Sequence, residues 1–533
     1  MEVSEKMMKV FVAEDISEKG VELLQNCPDL QVDVKMGIPR EELLKIIPDY
    51  DAIVVRSVTK INEEFYQHAT NLKVVGRAGN GVDNIEMAGA TQRGIIVVNT
   101  PESNVVSAAE HTIGLLLSSS RNIVPANKIL ESGNWERKAL TGSEMLHKTL
   151  GIIGLGRIGT LVTKRMQAFG MKVIAYDPYI ADSRFETLGV EKCTTLEELL
   201  RRSDVITIHT PKTEETFNMI GDKEFALCKK GVRVVNCARG GLINEDALVK
   251  AIHDGIVASA GVDVLMGEPK PISPLIKEPK VVVTPHLGAE TVEAQTNVGI
   301  AVAEEVISAL HGEMVPNAVN LPALHSQELN ETMDYLKLAE ALGKLYYQLE
   351  KAPVEKVEVI YGGGAAGLET ELLTRAVLKG VFEPVLKERV NYVNAEVTAA
   401  SRGVAVTVGK VADEQYNSIK VNIGTKDKTF TVCGTVIRAG EVRITNIDGY
   451  AFNLIPEPFM VVVRNQDKPG MIGRIGTKLG DAKVNIANMQ VSRTDGGNAM
   501  MFMSVDNVVY ANALNELKDI PGIEDARFIR FMD

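Results

Sequence analysis

The sequence is poor in cysteine, and its cysteines follow no pattern. Among 533 residues there are five, an odd number, and no two form a CxxC pair: Cys27, Cys193, Cys228, Cys237 and Cys433. A disulfide framework or a cysteine zinc cluster needs paired or regularly spaced cysteines, so neither is expected. The pattern is typical of a reduced, cytoplasmic protein.

Basic charge and long apolar runs are also scarce. Acidic residues number 70 against 58 basic ones, which gives a formal net charge of −12. This sign argues against a protein that coats nucleic acid or an anionic membrane. The longest apolar runs, such as the one around Leu115–Leu117, fall far short of the roughly 20 residues that span a bilayer. The first ten residues, MEVSEKMMKV, carry two glutamates and do not resemble a secretory signal.

What the chain does contain is length and a repeated α/β alternation. At roughly 150 residues per domain, 533 residues predict about three or four domains. The first hundred residues alternate apolar β-branched runs with helical segments, which predicts a parallel sheet covered on both faces. The predicted strands are Met8–Glu14, Asp51–Ser57, Leu72–Gly79 and Ile95–Pro101, with helices over Ser17–Asn26 and from about Ser103.

The alternation starts again between Leu150 and Gly288, and the style changes after Pro316. There we expect an amphipathic helix over Gln327–Glu350 and a β-rich stretch over roughly Val390–Leu454. The final 75 or so residues follow a βαββαβ order, typical of a ferredoxin-like unit. The predicted fold class is therefore α/β, with two doubly wound parallel-sheet (Rossmann-like) domains followed by an α+β domain and a ferredoxin-like one.

The strongest local motif is LGIIGLGRIG, in which Gly154, Gly156 and Gly159 follow an apolar strand and open a helix. Such glycines permit a tight turn, the approach of a pyrophosphate and close helix–sheet packing. The next strand ends in Asp177, where a carboxylate accepts a hydrogen bond from a ribose hydroxyl and repels a 2′-phosphate. Together these features predict dinucleotide binding and favour NAD over NADP.

Three further residues, Arg239, Glu268 and His286, follow predicted strands and should face one crevice. Oxidation of a secondary alcohol needs a base, and histidine suits that role near neutral pH. A carboxylate beside it orients the ring, and a guanidinium holds a substrate carboxylate and polarises its carbonyl. Each residue alone has an ordinary surface explanation; their joint position predicts a catalytic set.

Two more arginines, Arg56 and Arg77, follow strands of the first domain. Converging on one site, they would suit a second anionic group such as a phosphate. The alternative is simple ion pairing with neighbouring carboxylates, namely Asp51, Asp83 or Glu86, and the pattern alone does not decide between the two. No His, Cys and carboxylate set has the spacing of metal ligands, so no metal is expected.

In these motifs the chain resembles the D-isomer-specific 2-hydroxyacid dehydrogenase family. The resemblance rests on the segments GRAGNGVDN, NVVSAAEHTIGLLL, WERK, LGIIGLGRIG, NCARGGLINEDAL and TPHLGAET. It extends over essentially the whole chain and points to the long branch of the family, which carries an intervening regulatory domain and a terminal amino-acid-sensing ACT domain. It implies a substrate domain over 1–100 and 289–316, an NAD-binding domain over 101–288, an intervening domain over 317–455 and an ACT domain over 456–533.

The resemblance also implies individual contacts. The family's catalytic arginine, glutamate and histidine correspond to Arg239, Glu268 and His286. Its cofactor contacts correspond to Gly154, Gly156, Arg157, Ile158, Gly159, Asp177, Thr210, Cys237, Ala238, Arg239, Asp263, His286, Gly288, Ala289 and Asn80. Asn80 stands where relatives usually have threonine, and we expect cofactor binding to survive that change. Substrate contacts correspond to Arg56, Ser57, Arg77, Gly79 and Asn99, with Arg137 reaching over from a neighbouring subunit.

In the ACT part, Asn465, Asp467 and Asn485 match positions that bind serine in relatives that serine inhibits. The family often has histidine where Asn465 stands and asparagine where Asp467 stands. The expectation is therefore a possible L-serine effector site, with a purely oligomerising ACT domain as the alternative.

The resemblance implies NAD-dependent oxidation of 3-phosphoglycerate to 3-phosphohydroxypyruvate by a cytoplasmic homo-oligomer, either a dimer or a tetramer. No nucleic acid or membrane partner is expected. Two alternatives stay open: a related enzyme that acts on glycerate or lactate, and a non-catalytic NAD-sensing protein on the same fold.

Overall fold

The computed structural model describes residues 7–322, 329–386, 389–411, 417–494 and 496–531, without the side chains of 329–331. Residues 1–6 of the amino terminus, and Gln327 and Glu328 of the predicted helix, lie outside the described residues. Within them, no helix combines the length and apolar character that crossing a membrane requires. Four sheets organise the described chain.

The first sheet is parallel, in the order β2-β1-β3-β4-β5. Its strands are β1 Met8–Val12, β2 Leu30–Val34, β3 Ala52–Val55, β4 Val74–Arg77 and β5 Ile96–Val98. Its helices are α1 Glu18–Gln25, α2 Arg40–Ile46, α3 Glu63–His68 and α4 Met87–Gln92. The sequence prediction missed β2, because the polar Gln31 and Asp33 of this edge strand interrupt the apolar run.

The second sheet has seven parallel strands in the order β12-β11-β10-β9-β6-β7-β8. Its strands are β6 Thr149–Ile153, β7 Lys172–Tyr176, β8 Glu191–Lys192, β9 Val205–Ile208, β10 Val232–Asn236, β11 Val257–Val262 and β12 Val281–Val283. Its helices are α5 Val105–Ser120, α6 Ile123–Glu131, α7 Arg157–Ala168, α8 Asp182–Leu188, α9 Leu196–Arg202, α10 Asp222–Phe225 and α11 Glu245–His253. The strand order reverses between β6 and β9, and a ligand crevice forms at such a switch point, at the carboxyl ends of the strands.

The chain then returns to the first sheet through α12, Val292–Leu310. This helix contributes Val298, Val302 and Val306 to the core that holds β1, β3 and β4. Just beyond it, Ala318 pairs with Val98 in an antiparallel bridge. The first unit is therefore built from two separate stretches of chain, while the predicted domain boundaries themselves stay a prediction.

The third sheet is mixed, in the order β14-β13-β15-β16-β17-β18. Its strands are β13 Lys356–Gly362, β14 Ala405–Val411, β15 Ser418–Gly424, β16 Thr429–Val436, β17 Val442–Ile447 and β18 Tyr450–Leu454. Its helices are α13 Leu329–Leu349, α14 Thr370–Phe382 and α15 Ala395–Ser401. The predicted β-rich stretch over Val390–Leu454 was wrong at its start, where α15 forms because Ala395 and Ala399 are buried on one helical face.

The fourth sheet is antiparallel, in the order β20-β21-β19-β22. Its elements are β19 Phe459–Gln466, α16 Met471–Asp481, β20 Ile486–Arg493, β21 Asn498–Val505, α17 Ala511–Lys518 and β22 Ile523–Arg530. One face of β19, with Val461 and Val463, packs under α16 and α17. The other face, with Met460 and Val462, joins the core of the third unit. The predicted α/β class, with its ferredoxin-like terminal unit, is confirmed.

Candidate active site

The turn between β6 and α7 shows why three glycines stand there. Gly154 has a left-handed backbone (φ +90°), and a Cβ on it would lie 2.7 Å from the His209 carbonyl oxygen. A Cβ on Gly159 would lie 2.3 Å from the Gly154 carbonyl oxygen. A Cβ on Gly156, by contrast, would meet no atom within 4 Å. The fold therefore requires two of the glycines, and the third keeps space open at the amino terminus of α7, where a pyrophosphate would fit.

Asp177 is fixed beside this turn at the end of β7. Its Oδ2 accepts from the Leu155 N–H at 2.9 Å, and its Oδ1 accepts from the Tyr179 N–H at 3.0 Å. The carboxylate is half-buried and therefore retains a surface toward the crevice. A fixed negative charge one strand away from the glycine turn suits ribose hydroxyls and opposes a 2′-phosphate.

The catalytic candidates His286 and Glu268 form a direct pair. His286 Nδ1 lies 2.7 Å from Glu268 Oε2, and Glu268 Oε1 accepts from the Leu265 N–H at 2.8 Å. Burial raises the pKa of Glu268, but the hydrogen bonds from His286 and Leu265 outweigh it and leave that pKa below its usual value. An ionised Glu268 places the ring proton on Nδ1. Nε2 is then left as the basic atom, and no described residue hydrogen-bonds to it.

Asp263 holds the turn that carries His286. Its side chain is fully buried, and its carboxylate accepts from the Leu287 N–H at 2.7 Å, the Gly288 N–H at 2.9 Å and the Thr284 hydroxyl at 2.6 Å. His111 Nε2 on α5 lies 3.1 Å from the same carboxylate. His286 itself has φ +58°, a strained region for a residue with a side chain. The buried carboxylate therefore maintains the conformation that points His286 at the crevice.

Three arginines, Arg56, Arg77 and Arg239, lie close enough to act electrostatically on one another, and Arg239 also acts on Glu268. Burial, together with the positive charges of Arg239 and Arg56, lowers the pKa of Arg77 to about 10. Arg239 lies 3.5 Å from Asp83 and so close to Gly81 that a Cβ there would be 2.3 Å from its Nη2. This is a concentrated positive site at the junction of the first two sheets, and it suits an anion.

Arg56 and Arg77 do not form the ion pairs that the sequence pattern offers as the alternative. Arg56 lies 3.8 Å from Glu290, and Arg77 donates to its neighbour's carbonyl, Ala78 O, at 3.1 Å. Neither one pairs with Asp51, Asp83 or Glu86 in the described part of the chain. The Arg77 Nε is buried without a hydrogen-bond partner. These observations favour the anion-binding alternative.

Gly79 has a specific reason to be glycine. Its φ is +131°, and a Cβ on it would lie 1.8 Å from Arg77 Nη1. Its N–H donates to Thr100 Oγ1 at 2.9 Å, which ties the loop after β4 to the end of β5. Nearby, the Asn99 amide donates to the Asn80 carbonyl at 2.7 Å. The loop that presents Arg77 is therefore held from two sides.

Three supporting residues were missed by sequence reasoning. Glu14 accepts from the Val58 and Thr59 N–H groups at 3.2 and 2.8 Å, which anchors the loop of Arg56 and Ser57. Asn84 donates to the Arg56 carbonyl at 2.9 Å. Asn236 donates to the Arg239 carbonyl at 3.0 Å and accepts from the Ala238 N–H at 3.0 Å. Asn84 and Asn236 had a sequence signal, their places inside the motifs GRAGNGVDN and NCARGG, and Glu14 had none.

The remaining predicted residues occupy varied positions. Thr210, Ile158, Ala238 and Ala289 are half-buried around the crevice, and Gly288 is buried. Burial raises the pKa of the Cys237 thiol to about 12, which makes it a poor nucleophile. Arg157 pairs with Glu102 at 3.1 Å on the exposed rim. Arg137 is exposed between α6 and β6. Among the described residues, no hydrogen bond or ion pair joins it to the other predicted substrate contacts.

The three predicted effector residues do not meet within one chain. Asn465 is buried with its Oδ1 unpartnered, and Asp467 lies 3.3 Å from Arg493 at the end of β20. Asn485 lies before the start of β20, where it donates to Asp506 at 2.8 Å. The length of β20 separates them by about 26 Å at 3.3 Å per residue. A site that uses all three would need two chains.

Comparisons with known proteins agree across the whole chain. Three family models match: the NAD-binding domain of D-isomer-specific 2-hydroxyacid dehydrogenases over residues 113–288, the D-3-phosphoglycerate dehydrogenase intervening domain over 331–448, and the ACT domain over 459–522. The chain is 42% identical to D-3-phosphoglycerate dehydrogenase of Methanocaldococcus jannaschii, over 98% of this chain and 100% of that one. It is 44% identical to the corresponding enzyme of Archaeoglobus fulgidus, with the same coverage.

Solved structures match a little under three fifths of the chain. D-lactate dehydrogenase from Aquifex aeolicus, complexed with NAD and lactic acid, aligns at 28% identity with a TM-score of 0.52, over 59% of this chain and 100% of that one. D-lactate dehydrogenase from Escherichia coli aligns at 28% identity with a TM-score of 0.53, over 58% of this chain and 100% of that one.

Proposed function

We infer that the chain, which belongs to the D-3-phosphoglycerate dehydrogenase family, is an NAD-dependent oxidoreductase. It converts 3-phospho-D-glycerate to 3-phosphohydroxypyruvate, which is the first step of the phosphorylated pathway of serine biosynthesis. The observation that carries the proposal is the group Arg56, Arg77 and Arg239, in which Arg239 helps to lower the pKa of Glu268 and Arg56 lies 3.8 Å from Glu290, just beyond His286. A doubly anionic 2-hydroxy acid needs both a basic pocket and a base in one crevice. Glycerate and lactate would leave part of that positive charge without a partner.

In this proposal His286 takes the proton of the substrate's C2 hydroxyl at Nε2. Its Nδ1–H donates to Glu268, and the carboxylate stabilises the imidazolium that forms. Arg239 holds the substrate carboxylate and the oxygen that becomes a carbonyl. Arg56, Ser57, Arg77, Gly79 and Asn99 form the remaining substrate site, and Arg137 completes it from a neighbouring subunit.

When bound, NAD supplies the hydride acceptor. The residues proposed to hold it are Gly154, Gly156, Arg157, Ile158, Gly159, Asp177, Thr210, Cys237, Ala238, Arg239, Asp263, His286, Gly288, Ala289 and Asn80. The open space over Gly156 and the fixed carboxylate of Asp177 support the pyrophosphate and ribose ends of this assignment. Asp263 serves the assignment indirectly, because it holds the turn of Gly288 and Ala289.

A substrate panel tests the assignment. Purified enzyme should reduce NAD with 3-phosphoglycerate far faster than with glycerate or lactate at equal concentration. Equal rates on all three would refute the substrate, and no turnover on any would favour the non-catalytic alternative. His286→Ala should abolish turnover and leave NAD binding, measured by calorimetry, within a few-fold of the parent; retained turnover would contradict its role as base.

Regulation is a separate proposal. We propose that L-serine binds at the ACT unit of a homo-oligomer, with Asn465 and Asp467 from one chain and Asn485 from another. The buried, unpartnered Oδ1 of Asn465 supports this, because a ligand ammonium or hydroxyl would satisfy it. Turnover measured against serine concentration should show inhibition below millimolar serine. Light scattering on the same samples should show a dimer or a tetramer. No inhibition by an intact oligomer would favour the purely oligomerising role.

The division into domains accompanies these proposals. We propose a substrate domain over 1–100 and 289–316, an NAD-binding domain over 101–288, an intervening domain over 317–455 and an ACT domain over 456–533. The packing of α12 against the first sheet supports the discontinuous first domain. Limited proteolysis followed by mass spectrometry should cut first near residues 316 and 456, and early cuts inside a proposed domain would argue against these limits.

A further inference from the structure

A second cluster of reactive side chains lies outside the active site, on the edge of the first unit. Cys27 Sγ donates to Asp29 Oδ1 at 3.0 Å, and His311 Nε2 lies 2.8 Å from Asp29 Oδ2. One ligand atom from each residue falls within 4.8 Å of the others. The thiol, carboxylate and imidazole thus converge on one point, although 282 positions separate Asp29 from His311 in the chain.

The backbone under these side chains is well fixed. Cys27 and Asp29 lie in the turn from α1 to β2, where the Leu30 N–H donates to the Cys27 carbonyl at 3.2 Å. His311 caps the carboxyl end of α12, and its N–H donates to the Ile307 carbonyl at 3.1 Å. The two helices approach so closely that a Cβ on Gly20 would lie 2.3 Å from the Gly299 carbonyl oxygen. The three ligands are therefore held by a rigid pair of helices.

We propose that Cys27, Asp29 and His311 bind one Zn²⁺ ion, with water as the fourth ligand. Zinc bonds of about 2.3 Å to sulfur and about 2.0–2.2 Å to nitrogen and oxygen place neighbouring ligand atoms roughly 3.3–3.7 Å apart in a tetrahedron. The two hydrogen-bonded contacts would open by less than about 1 Å to reach that spacing. Sulfur and nitrogen ligands select zinc over calcium and magnesium, which prefer oxygen.

The proton and charge balance suits a partly exposed site. Zinc displaces the thiol proton of Cys27, which leaves to solvent. It also displaces the Nε2 proton with which His311 donates to Asp29, and the neutral ring then carries its one proton on Nδ1, the exchange being made through solvent. A thiolate and the Asp29 carboxylate neutralise the two positive charges of the metal. Metal bonds then replace the two hydrogen bonds, and the oxidation state of every atom is unchanged.

The site is remote from the reaction. His286 precedes α12 and His311 follows it, so the length of the helix, about 28 Å at 1.5 Å per residue, separates them. The metal would tie the end of α12 to the α1–β2 turn and stabilise the docking of that helix on the first sheet. The expected effect is on stability, with turnover unchanged.

The test is metal binding by the full-length protein after all metal has been removed. One sample is titrated with Zn²⁺ in competition with a chromogenic chelator, and a second sample is titrated with Co²⁺. The chain should bind one Zn²⁺ per protomer, raise its unfolding temperature, and show a thiolate-to-Co²⁺ charge-transfer band. Cys27→Ser, Asp29→Asn and His311→Gln should each weaken Zn²⁺ at least tenfold, and Cys27→Ser should lose the band.

Two matched controls separate this site from other ligands. Cys228→Ser removes an equally half-buried thiol, which donates to a backbone carbonyl, and His253→Gln removes an exposed histidine paired with a carboxylate, Glu278, at 3.0 Å. Both controls should bind zinc as the parent does. The proposal is overturned if the parent binds no zinc, if Cys27→Ser binds it equally well, or if a control abolishes binding.

Discussion

The substitution Asp263→Asn tests how the buried carboxylate supports His286. It changes one oxygen to an NH₂ group without altering the shape of the side chain. The oxygen that accepts from the Gly288 N–H at 2.9 Å is the one at risk, because a carboxamide that keeps the Leu287 contact turns its NH₂ toward that N–H. A buried donor is then left facing another donor.

The magnitude follows from the four contacts. An unpartnered buried N–H costs about 1–3 kcal/mol, and a neutral acceptor weakens each remaining hydrogen bond by roughly 1 kcal/mol. The left-handed conformation of His286 carries strain of about 1–2 kcal/mol. The hydrogen bonds of Asp263 offset this strain in the parent, and the weakened bonds of the variant offset less of it. The Gly288 and His286 contributions, which act on the turn itself, sum to about 2–5 kcal/mol. A middle value of about 3 kcal/mol corresponds to a roughly 100-fold lower kcat, at 1.36 kcal/mol per tenfold change.

The assay is steady-state turnover of 3-phosphoglycerate, combined with NAD affinity and urea unfolding. Asp204→Asn is the matched control, since Asp204 accepts from the Thr149 N–H at 2.8 Å and pairs with Lys229 at the opposite edge of the same sheet. It should lower stability yet leave kcat within about threefold of the parent. An Asp263→Asn enzyme with kcat, NAD affinity and unfolding free energy all like the parent's would refute the reasoning.

Three further outcomes are expected. Gly156→Ala should leave the unfolding free energy within about 0.5 kcal/mol, because its Cβ enters open space, yet weaken NAD at least tenfold by calorimetry; unchanged affinity would remove Gly156 from the cofactor site. The pKa of Glu268 is lowered in the folded chain, so its contribution to stability is present above pH 4.5 and is lost as the pH falls through the folded pKa. The stability difference between the parent and Glu268→Gln should therefore be constant near neutrality and shrink below pH 4.5 in acid-unfolding titrations; a difference that grows there would contradict this sign. Lys344→Met should destabilise the chain by about 2–4 kcal/mol in urea unfolding, because the buried Lys344 forms ion pairs with Glu340 and Glu383. Lys337→Met, at an exposed position of the same helix, should not destabilise it. Equal effects of the two substitutions would argue against a stabilising role for the Lys344 ion pairs.

Much of the fold was readable because local patterns encode it. Buried parallel strands need continuous apolar runs, so β3, β4 and β6 were visible in the sequence. The edge strands β2 and β8 were missed, since a strand with one open side tolerates polar residues. The predicted family and its NAD cofactor are confirmed by the comparisons, in which curated relatives cover 98% of the chain.

The candidate site was readable only in part. Arg239, Glu268 and His286 could be grouped because each follows a strand of one parallel sheet, and such ends share an edge. The role of Asp263 as the support of the His286 turn was not visible, because it depends on four donors brought in from α5, from Thr284 just after β12 and from the turn itself. The pattern alone left open whether Arg56 and Arg77 pair with carboxylates or face an anion, and their surroundings favour the anion.

The sequence by itself determined what is local: the strand and helix pattern, the glycine turn with its acidic partner, and the motifs that identify the family. These features depend on backbone sterics and on spacing along the chain, both of which the sequence states directly. Only the tertiary structure decided which distant side chains meet. It grouped three arginines and placed one of them, Arg239, near Glu268. It also separated Asn485 from Asn465 and brought Cys27 to His311, where sequence spacing had predicted no metal site. Contacts of this kind arise from the packing of whole elements, and no local pattern records them.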